Sequence, residues 1–249
     1  LKRVLVTGSA KRLGAVIARH LKAQGWQPVI HYNHSGDEAR ALADELGTVA
    51  VGADLADAEA VSGLIGKAVK AAGGPLSALI NNASIFEHDR AGDVSEASLM
   101  AHLRTNTLAP VLLARAFAEQ VDRAGDPVIV NILDQKLSNL YPDHYSYTLS
   151  KSALQTATHL MAQDFAPHIR VCGVAPGYTL PSPGESEAAF EKKAASANPL
   201  GRRLDPEDIA RTVAFCLSCR AITGQTILAD NGEHLIPTHR DISFKGEGK

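Results

Sequence analysis

The sequence predicts one doubly wound α/β domain built on a mainly parallel sheet. Three observations carry this. Short apolar runs of strand length alternate with segments of helical periodicity along the whole chain, the pattern of repeated βαβ units. The first such run leads through a turn bounded by Gly8 and Gly14 straight into a helical pattern. Strand, turn and helix in that order is the context in which a helix N-terminus receives a phosphate. The chain has 249 residues and is 45% hydrophobic, which suits a single large domain with a sizeable core.

Composition narrows the partners. Lys plus Arg is 25 and Asp plus Glu is 27, a balance that calls for neither nucleic acid nor an anionic membrane. Three cysteines imply no disulfide framework. Cys216 and Cys219 form one Cys-x-x-Cys inside a helical pattern, without the two further ligands a zinc site needs, and read as core residues. The ten histidines are scattered with no His-x-x-x-His pair, so no metal is expected. Trp26 reads as a packing residue. No apolar run reaches the ~18 residues of a membrane span, and the first residues resemble a strand rather than a signal peptide. A cytoplasmic location is the expectation.

Residues 1–7 read as the first strand and 15–24 as the first helix, ending at Gly25. Gly8 permits a tight turn, and Gly14 permits close helix packing. Backbone N–H groups at the helix start would face a pyrophosphate. Arg12 stands where the strict dinucleotide fingerprint has a middle Gly, and an ordinary strand-to-helix turn explains the loop equally well. Residues 27–32 form the second strand. An NAD site places an acid ~20 residues after the loop to hold the ribose 2′-OH. Here the strand runs out into His31-Tyr32-Asn33-His34-Ser35, with no acid before Asp37. Lys11, Arg12, His34 and Ser35 can instead meet a 2′-phosphate, so a nucleotide bound here is expected to be NADP. The alternative is a plain polar turn.

Residues 37–46 read as helix and 48–52 as strand, running into Asp54 and Leu55. Asp57 caps a helix reaching residue 72. Residues 76–80 form a fourth strand, followed by Asn81-Asn82-Ala83-Ser84. A helix from 95 to 120 contains Pro110, which marks a break or bend. It also contains Asn106, either a helix residue bonded to backbone or a buried polar link to the site.

Residues 127–133 make a fifth strand that leads into the stretch 134–151. Tyr147 and Lys151 are four apart on the following helix and share a face. An ammonium beside a phenol favours the ionised form, which would lower the Tyr147 pKa from ~10 towards neutrality and suit a general acid. Asp134 lies near the carboxyl end of the preceding strand, the edge where open α/β sheets bind ligands. Taken alone, the Tyr-x-x-x-Lys spacing also describes a solvated pair. Residues 169–175 form a sixth strand, then Pro176-Gly177-Tyr178. Residues 179–197 read as a loop and short helix, the natural lid. Residues 206–217 are helix, capped by Asp205 with Pro206 at the first helical position. Residues 225–229 are the last strand, and 236–249 a polar, mobile tail.

In this order and spacing, Thr7-Gly8 to Gly14, Asp54-Leu55, Asn81-Asn82-Ala83, Asn106, Tyr147-x-x-x-Lys151, Pro176-Gly177 and Asp230-Asn231-Gly232 resemble the short-chain dehydrogenase/reductase family. The resemblance covers nearly the whole chain, and the last element departs from the family's usual Asp-Gly-Gly. It implies a single Rossmann domain with a central seven-stranded parallel sheet, hydride transfer from a nicotinamide, and a homotetramer or dimer. Asp134 replaces the family's usual Ser and Arg12 its usual Gly. Both replacements look like the pteridine reductase branch, as do Lys11-Arg12-Leu13-Gly14, His31-Tyr32, and Asn82-Ala83-Ser84 with Phe86 two beyond. The branch has an Arg near the position of His34, so the hold on a 2′-phosphate differs.

The branch resemblance implies that Arg12 and Ser84 contact a pterin and that Phe86 stacks on it. Tyr147 would donate the proton. Lys151 would lower the Tyr147 pKa and hold the nicotinamide ribose. Asp134 would orient Tyr147 and share proton supply, and Asn106 would support Lys151 through a water. Cofactor contacts are expected from Gly8, Lys11, Arg12, Leu13, Gly14, His31, His34, Ser35, Asp54, Leu55, Asn82, Ala83, Ser84, Lys151, Pro176 and Gly177. Substrate contacts are expected from Arg12, Ser84, Phe86, Asp134, Tyr147 and Tyr178. The reading is an NADPH-dependent reductase of a dihydropterin. The alternatives are a general carbonyl or 3-oxoacyl thioester reductase and a non-catalytic NADP-binding regulator.

Overall fold

The computed structural model describes residues 1–181 and 184–244. Seven strands, β1 (Arg3–Val6), β2 (Gln27–Tyr32), β3 (Val49–Gly52), β4 (Ala78–Asn81), β5 (Val128–Ile132), β6 (Arg170–Pro176) and β7 (Thr226–Ala229), form one sheet in the order β3-β2-β1-β4-β5-β6-β7. Every neighbouring pair is parallel. The helices are α1 (Arg12–Ala23), α2 (Gly36–Leu46), α3 (Ala58–Ala72), α4 (Glu96–Leu103), α5 (Ala109–Gln120), α6 (Tyr145–Asp164), α7 (Glu187–Ser196) and α8 (Pro206–Ser218).

Strand side chains alternate between two cores, as a period of two requires. Leu5 of β1 packs with Leu64 of α3 and Leu113 and Phe117 of α5. Its neighbours Val4 and Val6 pack on the opposite face with Ile17 and Leu21 of α1 and Ile209 and Val213 of α8. Burial on both faces explains why the strands read as unbroken apolar runs. The strand order reverses between β1 and β4, so the loops after these strands diverge and leave a crevice at the carboxyl edge. No helix among the described residues is long and apolar enough to cross a membrane. No group of three or more His, Cys, Asp or Glu among them is placed to hold a metal.

Two expectations need correction. Pro110 does not break the long helix. The chain instead widens into a π-helical turn at Arg104–Leu108 before α5 continues. Pro110 has no N–H for the carbonyl four residues back, that of Asn106, and a wider turn accommodates the loss. The tail also differs. Residues 236–244 are folded against the rest of the chain, with Asp241 and Ile242 buried and a short 3₁₀ turn at Ile242–Phe244. The remainder of the expected tail, 245–249, lies outside the described residues, as do Ser182 and Pro183 of the expected lid.

Candidate active site

A cleft of about 490 Å³ opens at the carboxyl edge of the sheet. Its first wall is the loop after β1. Gly8 has φ of 61°, and a Cβ there would lie 2.9 Å from the Ala83 Cα. A Cβ on Gly14 would collide with the Gly8 carbonyl oxygen. These two glycines let the loop lie flat against the chain after β4, leaving a cradle that any larger side chain would fill. Asn82 locks the arrangement, its Nδ2 donating to the Thr7 carbonyl at 2.8 Å and the Gly8 carbonyl at 3.2 Å. No side chain caps the start of α1, so the positive end of that helix is available to an anion.

Arg12 adopts a left-handed backbone of the kind glycine favours, with φ of 54°. A left-handed conformation costs a bulky residue ~1–2 kcal/mol, and such strain concentrates at functional sites. Its guanidinium donates to the Pro181 carbonyl at 2.9 Å. The side chain thus spans from the glycine loop to the lid.

His31 does not offer its ring to a cofactor. It is 1% exposed. Its Nδ1 accepts from the Gly8 N–H at 3.0 Å, and Nε2 meets the Ala53 carbonyl at 3.1 Å. Burial lowers its pKa to about 4, so it sits neutral beneath the glycine loop as a support. Leu55 packs into the core, which leaves only its backbone for a ligand. Asp54 accepts from Asn33 Nδ2 and the Ala56 N–H. His34 is exposed, and Ser35 begins α2 without capping it. These residues stand at the ends of β2 and β3, beyond the lining of the cleft. Lys11 lines the cleft and lies 3.8 Å from Glu38.

The reactive groups come from β5 and α6. Asp89 holds the first turn of α6 by accepting from the Ser146 N–H at 2.9 Å. Asp134 opens a 3₁₀ turn after β5, its Oδ1 accepting from the Lys136 N–H at 2.8 Å. Tyr147 Oη donates to Asp134 Oδ2 at 2.7 Å. Lys151 Nζ donates to the Ile132 carbonyl at 2.7 Å and lies 5.7 Å from the Tyr147 ring centroid.

This geometry reverses one expectation. Burial, followed by Asp134, pushes the Tyr147 phenol well above its ordinary value. Lys151 shares the helix face, but its ammonium is tied to a strand carbonyl, while the carboxylate bonds the phenol directly. Burial also raises the Asp134 pKa against the opposing pull of its hydrogen bonds and Lys151. Burial lowers Lys151 to about 8 despite Asp134. The Asp–Tyr pair is thus built to retain protons.

Asn106 is fully buried. Its Oδ1 accepts from the Ile85 N–H at 2.9 Å, and Nδ2 donates to the Ile85 carbonyl and to Ser150 Oγ, each at 3.0 Å. It therefore joins the loop after β4 to α6 beside Lys151, and its side chain is bonded to Ile85 and Ser150 instead of reaching the Lys151 ammonium. Phe86, on the same loop, is 51% exposed. It stacks on His144 at 3.9 Å and meets Tyr147 edge-on at 4.7 Å. Ser84 is exposed on the cleft, and Pro176, Gly177 and Tyr178 complete the wall after β6.

Gln135, Lys136, Tyr141 and Asp241 also line the cleft, and sequence reasoning missed all four, whereas Leu180, also in the lining, falls in the expected lid. Lys136 and Tyr141 fall within the 134–151 stretch but follow no periodicity. Asp241 arrives from the folded tail, which carries no local signal.

Fold, cleft and Asp–Tyr–Lys cluster together define a short-chain oxidoreductase. The chain belongs to the short-chain dehydrogenase/reductase family. A family model described as enoyl-(acyl carrier protein) reductase matches residues 8–234. Solved structures extend the likeness. The FolM alternative dihydrofolate reductase 1 of Brucella canis, complexed with NADP, is 39% identical, with a TM-score of 0.90 and 97% of each chain covered. The angucycline C-6 ketoreductase LanV, with bound NADP, is 25% identical, with a TM-score of 0.86 over 94% of this chain and 96% of its own. Bovine L-xylulose reductase is 31% identical over 93% of this chain and 96% of its own length.

Proposed function

We propose that the protein is an NADPH-dependent reductase of a dihydropterin or a related pterin such as dihydromonapterin. The observation that carries this is the Tyr147–Asp134 hydrogen bond of 2.7 Å, an acid where ketone reduction calls for a hydroxyl. A Ser can donate to a substrate carbonyl at any pH, whereas a carboxylate only accepts until it is protonated. An Asp–Tyr pair that retains protons suits a substrate that offers N–H groups and takes its proton at a ring nitrogen. Phe86 and Arg12 support the reading, because a flat heteroaromatic ring suits an aromatic face and a guanidinium suits its polar edge. The identity to the Brucella FolM proteins points the same way.

The Gly8–Gly14 cradle and the uncapped α1 start fit a dinucleotide pyrophosphate. Lys11, His34 and the uncapped start of α2 at Ser35 would meet a 2′-phosphate. NADPH, when bound, supplies the hydride. Lys151 would hold the nicotinamide ribose. Tyr147, backed by Asp134, would pass its proton to the substrate, and Asp134 would share its own proton at lower pH. A homotetramer is proposed with this reading, and light scattering would test it.

A general carbonyl reductase is the second reading, favoured by the similarity to L-xylulose reductase. The deciding experiment follows NADPH and NADH oxidation with dihydrobiopterin, dihydromonapterin, dihydrofolate and an acetoacetyl thioester. Reduction of the dihydropterins with NADPH is expected. Turnover of the thioester alone would refute the pterin reading, and equal use of NADH would refute the cofactor assignment.

A further inference from the structure

The pterin mechanism leaves one polar cluster in the cleft unused. Tyr141, Tyr178 and Asp241 all line it. Tyr141 and Asp241 are buried, and Tyr178 is half-buried. Asp134 and Tyr147 line the same cleft, so the cluster shares a cavity with the reacting pair.

The folded tail holds this cluster in place. Asp143 accepts from Arg240 Nε at 2.9 Å and from the Asp241 N–H at 2.9 Å. Ile242 packs with Phe190 and Ala194 of the lid helix α7. Phe244 meets His88 at 4.5 Å, on the loop that carries Phe86. The tail thus touches the lid, the Phe86 loop and the wall after β5 together. Such anchoring gives Asp241 a fixed position.

Its hydrogen bonds do not balance. Asp241 Oδ1 accepts from the Ser243 N–H at 2.9 Å. Asp241 Oδ2 accepts from Tyr141 Oη at 3.1 Å and Tyr178 Oη at 3.2 Å. The two phenol oxygens also face each other at 3.2 Å. Tyr178 Oη also accepts from the Ile242 N–H at 3.2 Å, which leaves two phenol protons for three oxygen–oxygen contacts, and with both given to the carboxylate none lies between the phenols. All three contacts exceed the ~2.7–2.8 Å usual for O–H···O bonds. Burial pushes both phenols upward in pKa, so both stay protonated and the count of two holds. A ligand hydroxyl is donor and acceptor at once. Reaching this cluster, it would accept the proton of one phenol and donate to the carboxylate or to the other phenol oxygen.

We propose that Tyr141, Tyr178 and Asp241 form a hydroxyl-binding subsite that selects pterins with a hydroxylated side chain over pterins without one. This rests on the pterin reading above. It adds that the folded tail sets side-chain specificity, while Phe86, Arg12 and the Asp–Tyr pair address the ring.

The test compares 6-methyl-, 6-hydroxymethyl- and 6-(1,2-dihydroxypropyl)-7,8-dihydropterin under saturating NADPH. Wild type is compared with Tyr141→Phe, Tyr178→Phe and Asp241→Asn. Wild type should favour the hydroxylated substrates over the methyl compound by about 10-fold in kcat/KM, carried mainly by KM, the scale of one well-made hydrogen bond. Each variant should shrink that preference, with its loss concentrated on the hydroxylated substrates. NADPH affinity and melting temperature, measured in parallel, separate this from misfolding. Should Asp241→Asn not fold, the two Phe variants, which each remove one oxygen, carry the test. Equal use of all three pterins by wild type would overturn the subsite, as would a preference that survives in both Phe variants. Failure of wild type to reduce any of the three would overturn the pterin reading itself.

Discussion

Acidification should weaken this protein through His31, and the size of the effect follows from where the ring sits. The imidazole is 1% exposed and accepts the Gly8 N–H at Nδ1. Its pKa is lowered from 6.5 to about 4, chiefly by burial. A base depressed in the fold takes up its proton more readily when unfolded. The stability it contributes is therefore complete above pH 6.5 and is lost as pH falls towards 4. The full gap corresponds to about 3 kcal/mol, and about 2 kcal/mol is already lost at pH 5. A protonated Nδ1 cannot accept from Gly8, so NADPH affinity should fall with it. The perturbation is His31→Gln, whose amide can still accept and donate but does not titrate. Urea unfolding at pH 7, 6 and 5 should give wild type about 2 kcal/mol more loss than the variant across that range. Parallel pH slopes in the two proteins would mean that the buried ring is already charged or irrelevant, and the argument would fail.

Three further outcomes follow from the site. Tyr147→Phe should cost ~10²–10⁴-fold in turnover, the scale of general acid catalysis, with NADPH affinity by fluorescence little changed; near-normal kcat would place the acid elsewhere. Asp134 has a raised pKa, so its proton is lost as pH rises, and wild-type dihydropterin reduction should be fastest on the acid side of neutrality. Asp134→Ser should lose that activity and gain ketone reduction, and a kcat/KM profile unchanged from wild type would make Asp134 a bystander. Phe86→Ala should weaken pterin binding more than NADPH binding. Because Phe86 is 51% exposed, its melting point should fall far less than the ~3–5 kcal/mol of a core Phe truncation implies; a sharp drop with unchanged pterin affinity would refute the stacking role.

What the sequence disclosed was local, and what it concealed was long-range. The strand at Gln27–Tyr32 and the Asp57-capped helix ending at Ala72 fall where their patterns end, because apolar runs, caps and a terminal glycine are short-range physics. Spacing put Tyr147 and Lys151 on one helix face, but spacing cannot say which neighbour sets a pKa. That depended on Ile132, whose carbonyl takes the ammonium at 2.7 Å, and on Asp134, whose carboxylate takes the phenol. Both belong to the strand end and turn before the helix, and a helical wheel does not contain them. His31 misled for the same reason. A histidine at a strand end looks available to a cofactor until the chain at Ala53 closes over its other face. The tail is the extreme case. Asp241 reaches Tyr141 across 100 residues of sequence, with no periodicity to announce it. The same distance makes it informative. A polar segment that gained nothing by packing would stay in water, since ordering a residue costs ~1–2 kcal/mol. Residues 236–244 pack nonetheless, and they do so around the cleft, against its lid and the loop of Phe86. Their order is best explained by the site they complete, so the boundary of the functional unit lies beyond the last strand of the sheet.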